Sequence, residues 1–325
     1  MTKKALITGV AGQDGAYLAQ LLLNKDYQVF GTSRDAGNTS LKSLKKLGIN
    51  SQISILSMAP HDFKSTVTVI SKVRPDEIYH LAGQTSVGLS FEQPSETIDS
   101  IIIGTLNILE TIRFLELPVK FYHASSSECF GNTEGISANE QTAFNPVSPY
   151  AVAKSAAHWL VRNYRDAHNM FAVNGILFNH ESELRPERFV TQKVIRAACR
   201  IASGSNEILT LGDLSISRDW GWAPEYVEAM WLMLQADKAE DFVIATGQSY
   251  ELKDFVAESF AYFGLDWIRH VHQSDQFMRP NEIAWSQGNP EKAHIVLGWQ
   301  ASKHMKDVVK TLCEAQFLNK QVTHL

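Results

Sequence analysis

Two short stretches about twenty residues apart hold groups suited to proton chemistry on an alcohol. Ser125-Ser126-Ser127-Glu128 closes an apolar run, and Ser148-Pro149-Tyr150-Ala-Val-Ala-Lys154 opens a helical one. Tyr150 and Lys154 are four apart, so on a helix their side chains share one face and the ammonium lies within reach of the phenol. A free tyrosine ionises near pH 10, and using it as a base near neutrality requires a depression of about three pH units, or roughly 4 kcal/mol. Burial alone acts in the wrong direction. A nearby lysine cation, helped by a positively charged cofactor ring, supplies the opposing field. The spacing is thus a hydride-transfer signature, although amphipathic helices without such a function also carry it. Ser126 and Glu128 lie two apart in a strand-like stretch, where alternate side chains face the same side.

The elements that must position these groups begin at the amino terminus. Lys4-Ala-Leu-Ile-Thr8 has strand character, and Gly9-Val-Ala-Gly12-Gln13-Asp14-Gly15 leads from it into the helical pattern Ala16-Tyr17-Leu18-Ala-Gln-Leu-Leu-Leu23. Glycines at such a junction suit a dinucleotide pyrophosphate: one makes the tight turn, one admits the phosphate and one lets the helix pack close. The helix start adds free amides and a positive dipole end. A second strand, Gln28-Val-Phe-Gly31, is followed by Thr32-Ser33-Arg34. An NAD site carries an acidic residue there to grip the ribose hydroxyls, whereas two hydroxyls and a guanidinium favour NADP. The adjoining Asp35 leaves NAD open.

The chain has 325 residues, 44% of them apolar, which is enough for a large core and two lobes. A net charge of -5 provides no broad basic field for nucleic acid. Cys129, Cys199 and Cys313 are odd in number and widely spaced, matching neither a disulfide framework nor a zinc site, and no metal is expected. No apolar window reaches the eighteen or so residues of a membrane span, so a soluble, cytoplasmic protein without membrane partners is expected.

Short strands alternate with helical stretches as far as about residue 180, with strands expected near 3–8, 27–31, 52–56, 77–82, 118–124 and 171–178. That alternation predicts a doubly wound parallel sheet of Rossmann type. Beyond Asn179 helical stretches near 189–203, 223–236, 251–264 and 302–318 are separated by irregular segments. The reading is therefore a dinucleotide-binding domain over residues 1–180 and a smaller, mixed α/β substrate lobe over 181–325, interleaved at an approximate boundary. A substrate would sit over the cofactor in the cleft between them.

Several stretches carry a resemblance. Besides the glycine turn, Val173-Asn-Gly-Ile-Leu-Phe-Asn179-His180-Glu181-Ser182, Arg218-Asp219-Trp220-Gly221, Tyr226-Val-Glu-Ala-Met-Trp-Leu-Met-Leu-Gln235 and Asp241-Phe-Val-Ile-Ala-Thr-Gly247 make the chain similar to the GDP-mannose 4,6-dehydratases of the extended short-chain dehydrogenase/reductase family. The similarity runs nearly end to end. It implies a lyase that carries out a redox-neutral dehydration with bound NADP as both acceptor and donor, in a homodimer or homotetramer. Tyr150 would take the proton of the sugar 4-hydroxyl, Ser126 would hydrogen-bond the developing oxyanion, and Lys154 would lower the Tyr150 pKa and bind the nicotinamide ribose. Glu128 would remove the C5 proton made acidic by oxidation at C4 and pass a proton to the departing 6-hydroxyl. A simple alcohol dehydrogenase has no use for that carboxylate.

For the cofactor the resemblance implies Gly9, Gly12, Gln13, Asp14, Gly15, Arg34, Ala82 and Gln84 together with Tyr150 and Lys154. For the nucleotide sugar it implies Ser86, Asn179, Val190, Lys193, Arg218, Arg279 and Glu282. Arginines suit a diphosphate because their fork binds oxygens bidentately, and a glutamate can accept two ribose hydroxyls. Departures exist: Ser126 stands where the family has Thr, Arg34 lacks a second Arg beside it, Ser57 replaces an acidic residue facing the adenine, Gln192 replaces Arg, and Ser217 replaces Lys. They bear on cofactor affinity, subunit contacts and sugar identity.

His180 and His80 have no accompanying ligand pattern and read as supports of the fold or neighbours of the substrate. Trp231, in an apolar helical stretch, reads as core. Two other functions compete: the sister reductase that consumes the 4-keto-6-deoxy product, and a non-catalytic nucleotide-binding regulator. Gln13-Asp14-Gly15 and Glu181-Ser182 favour the dehydratase over the reductase, and the complete acid-base set argues against a regulator. The hexose could also be a close relative of mannose, such as a manno-heptose.

Overall fold

The computed structural model describes residues 2–323. Its centre is a seven-stranded sheet whose spatial order is Phe242–Ile244, Ala172–Leu177, Lys120–Ser126, Glu77–His80, Lys4–Thr8, Gln28–Ser33 and Ser54–Ser57. Every pairing in it is parallel. Parallel strands need crossovers, and helices consequently cover both faces, so the central strands are buried on both sides. All six residues of Ala172–Leu177 are buried.

One face packs the helices Gln13–Asn24 and Ala223–Gln235 against the sheet, through residues such as Leu18, Leu22, Tyr226 and Met230. The other face receives Phe63–Val73, Gly104–Phe114 and Pro149–His168, with Val69, Ile108 and Val161 in its core. A separate apolar cluster binds Val190–Ala202, Leu252–Tyr262 and Met305–Thr323 into the second lobe.

The six expected strands are present, each within a few residues of its predicted position. The seventh lies beyond residue 180. Phe242–Ile244 pairs with Gly175–Leu177, and the helix before it packs on the first helix of the chain, so residues 223–244 return to the sheet after the first part of the second lobe. Residues 223–244 thus pack into the sheet core, whereas Val190–Ala202, Leu252–Tyr262 and Met305–Thr323 form a core of their own.

Asp241 secures this return. Its carboxylate receives a two-pronged ion pair from Arg165 at 2.7 and 2.9 Å and hydrogen bonds from the Asn174 amide and side chain, both at 3.0 Å. Those partners hold its carboxyl below the ordinary range although burial acts the other way. The three cysteines are buried and unpaired. Among the described residues no helix is long and apolar enough to cross a membrane.

Replacing Asp241 leaves the Arg165 guanidinium, only 14% exposed, with no carboxylate nearer than the largely exposed Asp166 at 3.7 Å. Asp241→Leu is expected to destabilise the protein by about 3 kcal/mol, because removing one member of a largely buried pair strands the other. Urea unfolding monitored by tryptophan fluorescence checks this, and a loss below about 0.5 kcal/mol would show that the pair is not what anchors the seventh strand.

Candidate active site

In a doubly wound sheet ligands bind beyond the carboxyl ends of the strands, at the point where the strand order reverses. That point lies here between Lys4–Thr8 and Glu77–His80. Gly9 follows the first strand with φ of 74°, a left-handed conformation that suits glycine. A side chain on Gly15 could not be accommodated, since its β-carbon would stand 2.6 Å from the Val10 α-carbon, part of a backbone that cannot yield. Gly12 caps the helix Gln13–Asn24, and a β-carbon there would stand 3.3 Å from the Gly9 carbonyl oxygen. Backbone and helix start thus leave a cradle for a pyrophosphate.

Behind the cradle His80 has a structural task. The Thr8 hydroxyl accepts from the amides of Leu81 and Ala82, both at 3.1 Å, so its single proton goes to His80 Nδ1 at 2.8 Å. Burial and the Lys154 charge push His80 down to about 3, and it stays neutral. The result fixes Ala82 against Gly9. Gln84 is also tied locally, donating to the Ser86 carbonyl at 2.8 Å and to Thr97 at 3.2 Å.

A cleft of about 800 Å³ opens between the lobes. Its walls bring together Asp14, Ser86, Ser126, Glu128, Tyr150, Lys154, Asn179, Val190, Lys193, Arg218, Arg279 and Glu282. Gly9, Gly12, Gln13, Gly15, Arg34, Ala82 and Gln84 lie outside those walls, in the glycine turn and along the strand ends.

Tyr150 stands in the first turn of Pro149–His168, where Ser148 accepts from the Ala151 amide at 3.1 Å and Pro149 pre-sets the helix start. Ser126 ends its strand. The same-side placement of Ser126 and Glu128 has a different origin from the strand alternation expected, because the chain turns at once into a single 3₁₀ turn, Ser127–Phe130. The Ser126 hydroxyl accepts from the Glu128 amide at 3.3 Å, and this cap brings both side chains to the cleft.

The electrostatics are governed by desolvation. Burial raises the Tyr150 phenol above its ordinary value, against a smaller lowering by the Ser126 hydroxyl. The expected depression by Lys154 is not what this arrangement produces by itself. Lys154 donates to the Ala124 carbonyl at 2.7 Å, with its nitrogen 5.9 Å from the Tyr150 ring centre, and burial brings its own pKa down to about 8. Glu128 is raised by burial, with Arg218 and Arg279 acting the other way. Arg218, 5% exposed, donates to Glu282 at 2.7 Å and to the Ile283 carbonyl at 2.7 Å, and Arg279 reaches the same Glu282 oxygen at 3.3 Å.

The cleft also contains groups that the sequence reading left aside. Arg185 and Arg188 line it from the loop before Val190–Ala202, with the Arg185 guanidinium 3.7 Å from the Phe189 ring centre. Two cations immediately before a helix start were the available signal. His180 is a wall residue stacked on Tyr226, its Nδ1 donating to the Phe178 carbonyl at 2.7 Å and its Nε2 3.0 Å from Asp14. With a carbonyl on one nitrogen and a carboxylate on the other, both nitrogens carry protons when the pair is formed.

A family model described as GDP-mannose 4,6 dehydratase matches residues 6–312. The chain belongs to the GDP-mannose 4,6-dehydratase family. It is 44% identical over 322 residues to GDP-mannose 4,6 dehydratase 2 of Arabidopsis thaliana, covering 96% of this chain and 86% of the relative. With the Homo sapiens GDP-mannose 4,6 dehydratase it shares 41% over 336 residues, covering 96% and 90%. Its fold is that of a UDP-glucose 4-epimerase from Thermotoga maritima, with a TM-score of 0.86, 22% identity and coverage of 98% and 99%. A dTDP-glucose 4,6-dehydratase from Bacillus anthracis gives a TM-score of 0.85 at 17% identity, with 98% of each chain covered. Family membership thus joins a shared fold to a cleft lined by Ser126, Glu128, Tyr150 and Lys154.

The Asp14–His180 pair has a defined pH window. Asp14 is held down to about 2, against the burial that would raise it, by the charge and hydrogen bond of His180, and His180 is raised despite burial by Asp14. The depressed carboxyl contributes stability above its unfolded value near 3.9 and loses it as pH falls through about 2. The raised imidazole contributes below its unfolded value near 6.5 and loses it as pH rises through the folded value. The stability difference between the parent and Asp14→Asn is therefore expected to peak between about pH 4 and 6.5, at about 2 kcal/mol. Urea unfolding across pH measures it, and a difference that stays flat would exclude a charged pair.

Proposed function

We propose that this protein is a nucleotide-sugar hydro-lyase that converts GDP-mannose to GDP-4-keto-6-deoxymannose and uses NADP. The observation that carries the reading is the convergence of Ser126, Glu128, Tyr150 and Lys154 on the same cleft as the Arg218–Glu282–Arg279 cluster. On this reading proton chemistry and the recognition of diphosphate and ribose share one cleft.

The glycine turn fits a dinucleotide, since a β-carbon at Gly15 would fill its close packing. Backbone amides of the turn at residues 9–15, that of Asp14 included, would hold the phosphates, with Ala82 and Gln84 beside them and Lys154 on the nicotinamide ribose. When bound, NADP supplies reversible two-electron acceptor chemistry with no net consumption over a turnover. Tyr150 accepts the proton of the sugar 4-hydroxyl as that carbon is oxidised, while Ser126 donates to the oxygen. The resulting ketone acidifies C5–H. Glu128, whose carboxyl burial has already raised, is suited both to take that proton and to deliver it to the 6-hydroxyl, which leaves as water; the C5–C6 double bond so formed would take back at C6 the hydride lost from C4 and a proton at C5, giving the 4-keto-6-deoxy product. Arg218, Arg279 and Lys193 would hold the diphosphate, and Glu282, Asn179, Val190 and Ser86 the rest of the nucleotide sugar. Homodimeric or homotetrameric assembly and a cytoplasmic location complete the proposal; three unpaired buried thiols suit a reducing compartment.

NADP is favoured over NAD by the surroundings of Arg34. Its side chain, 78% exposed, follows the second strand, with only an exposed ion pair to Glu96 at 3.6 Å. Asp35 does not serve as a ribose acceptor because its carboxylate closes its own turn, receiving the Gly37 amide at 2.9 Å and the Asn38 side chain at 2.7 Å.

Purified protein given GDP-mannose is expected to form the 4-keto-6-deoxy sugar with no net change in reduced-nicotinamide absorbance. Stoichiometric oxidation of NADPH with the 4-keto sugar, and no dehydration, would overturn the proposal in favour of the reductase. Within this reaction Glu128→Gln should retain oxidation at C4 but lose C5 proton exchange and dehydration by at least about a hundredfold, the scale of a general base. Near-parent rates in that variant would require another base.

NADP should bind more tightly than NAD, and Arg34→Ala should narrow the preference by roughly 1.5–3 kcal/mol, the scale of a charge-assisted hydrogen bond. Fluorescence titration of both dinucleotides decides it. Equal affinities in the parent would remove the NADP assignment.

A further inference from the structure

Buried side-chain hydrogen bonds run from the glycine turn to the helix Val190–Ala202, and the proposed chemistry does not use them. Gln13, 6% exposed, accepts from the Ser182 hydroxyl at 2.8 Å and donates to the His180 carbonyl at 3.1 Å. Ser182 is fully buried, and its carbonyl accepts from the Gln192 side chain at 2.9 Å. Gln192, 3% exposed, stands next to Lys193 in the first turn of its helix. A parallel rung joins Thr191 to Glu181 at 2.6 Å. Neither Ser182 nor Gln192 forms part of the cleft wall.

We propose that Ser182 and Gln192 are positioning residues that transmit the seating of the glycine turn to the helix carrying Val190 and Lys193, so that a dinucleotide in the cradle tightens binding of a nucleoside diphosphate at the other end of the cleft. The inference rests on the ligand classes of the proposed function and adds a coupling between their sites. Its physical basis is the cost of leaving a buried donor or acceptor unpaired, which makes the Gln13–Ser182–Gln192 chain move or hold as a unit. Gln13 is the first residue of the helix whose start would receive the pyrophosphate, so phosphate binding restrains one end of the chain. At the other end, the same bonds restrain the turn that presents Lys193. Order established by the first ligand need not be established again by the second, and thermodynamic linkage makes the effect reciprocal.

The test uses the full-length protein and titrates GDP by calorimetry, without dinucleotide and again at saturating NADP. The parent is expected to bind GDP at least about fivefold more tightly in the second condition, the lower end of ordinary coupling between sites. Ser182→Ala and Gln192→Met should bring that ratio to about one while leaving GDP affinity without NADP close to that of the parent. The double variant should do no more than either single one, as expected for members of one unit. A residue that merely supports the fold would lower the melting temperature or both affinities together and leave the ratio unchanged. A ratio of one in the parent, or a parent-like ratio in the variants, overturns the relay while the proposed function stands. Absence of binding of GDP or NADP to the parent overturns both.

Discussion

Desolvation moves the reactive groups of the cleft toward their neutral forms. Tyr150 and Glu128 are raised, Lys154 is brought down to about 8, and even the Arg218 guanidinium is lowered. This condition follows from the fold, because the strand ends and helix starts that carry the residues lie where two lobes press together. A low-dielectric site strengthens every remaining interaction, so a carboxylate or cation at the correct position has a larger effect than it would in water. It also makes each side chain dependent on its immediate partners, as the Arg218–Glu282–Arg279 cluster shows.

The interleaving of the lobes sustains that burial. Residues 223–244 leave the second lobe, cover one face of the sheet with a helix and add its seventh strand, so the wall carrying Arg218 is continuous in sequence with the sheet core. Asp219 reinforces the junction by accepting from Thr246 and Gly247, at 2.7 to 3.0 Å, on the loop after that strand. A hinge with few contacts would open the cleft to water, whereas this construction distributes the boundary over buried hydrogen bonds and shared apolar packing.

Much of this was legible in the sequence because it depends on local rules. Strands buried on both faces write themselves as short apolar runs, and the Tyr150–Lys154 spacing declares a common helical face. The glycine turn is legible because only glycine tolerates the backbone approach between residues 9 and 15. The seventh strand was not, since Phe242–Ile244 is three residues long and its identity comes from pairing with Gly175–Leu177. Likewise nothing periodic marks Gln13 and Ser182, 169 positions apart, as partners, or Arg185 and Arg188 as wall residues. Glu128 lines the cleft beside Ser126, but not by the strand alternation expected of it. Its placement comes from a capped turn, which strand alternation imitates over two residues.

The Tyr150–Lys154 relation shows how far a pattern of spacing can be pressed. Helical periodicity puts both side chains on one face, but it does not determine where the ammonium points. Here the Ala124 carbonyl claims it, and Ala124 lies two residues before Ser126 in the same strand. That strand therefore fixes both Lys154, through a backbone oxygen, and Ser126, whose hydroxyl favours the phenolate. With a pKa near 8 the ammonium remains mostly charged at neutrality, so a positive field is available without direct contact. What the protein alone does not supply is enough field to offset burial of Tyr150. In the proposed reaction the balance would come from the ligand that completes the cleft, which would tie proton transfer from the sugar hydroxyl to occupancy of the dinucleotide site.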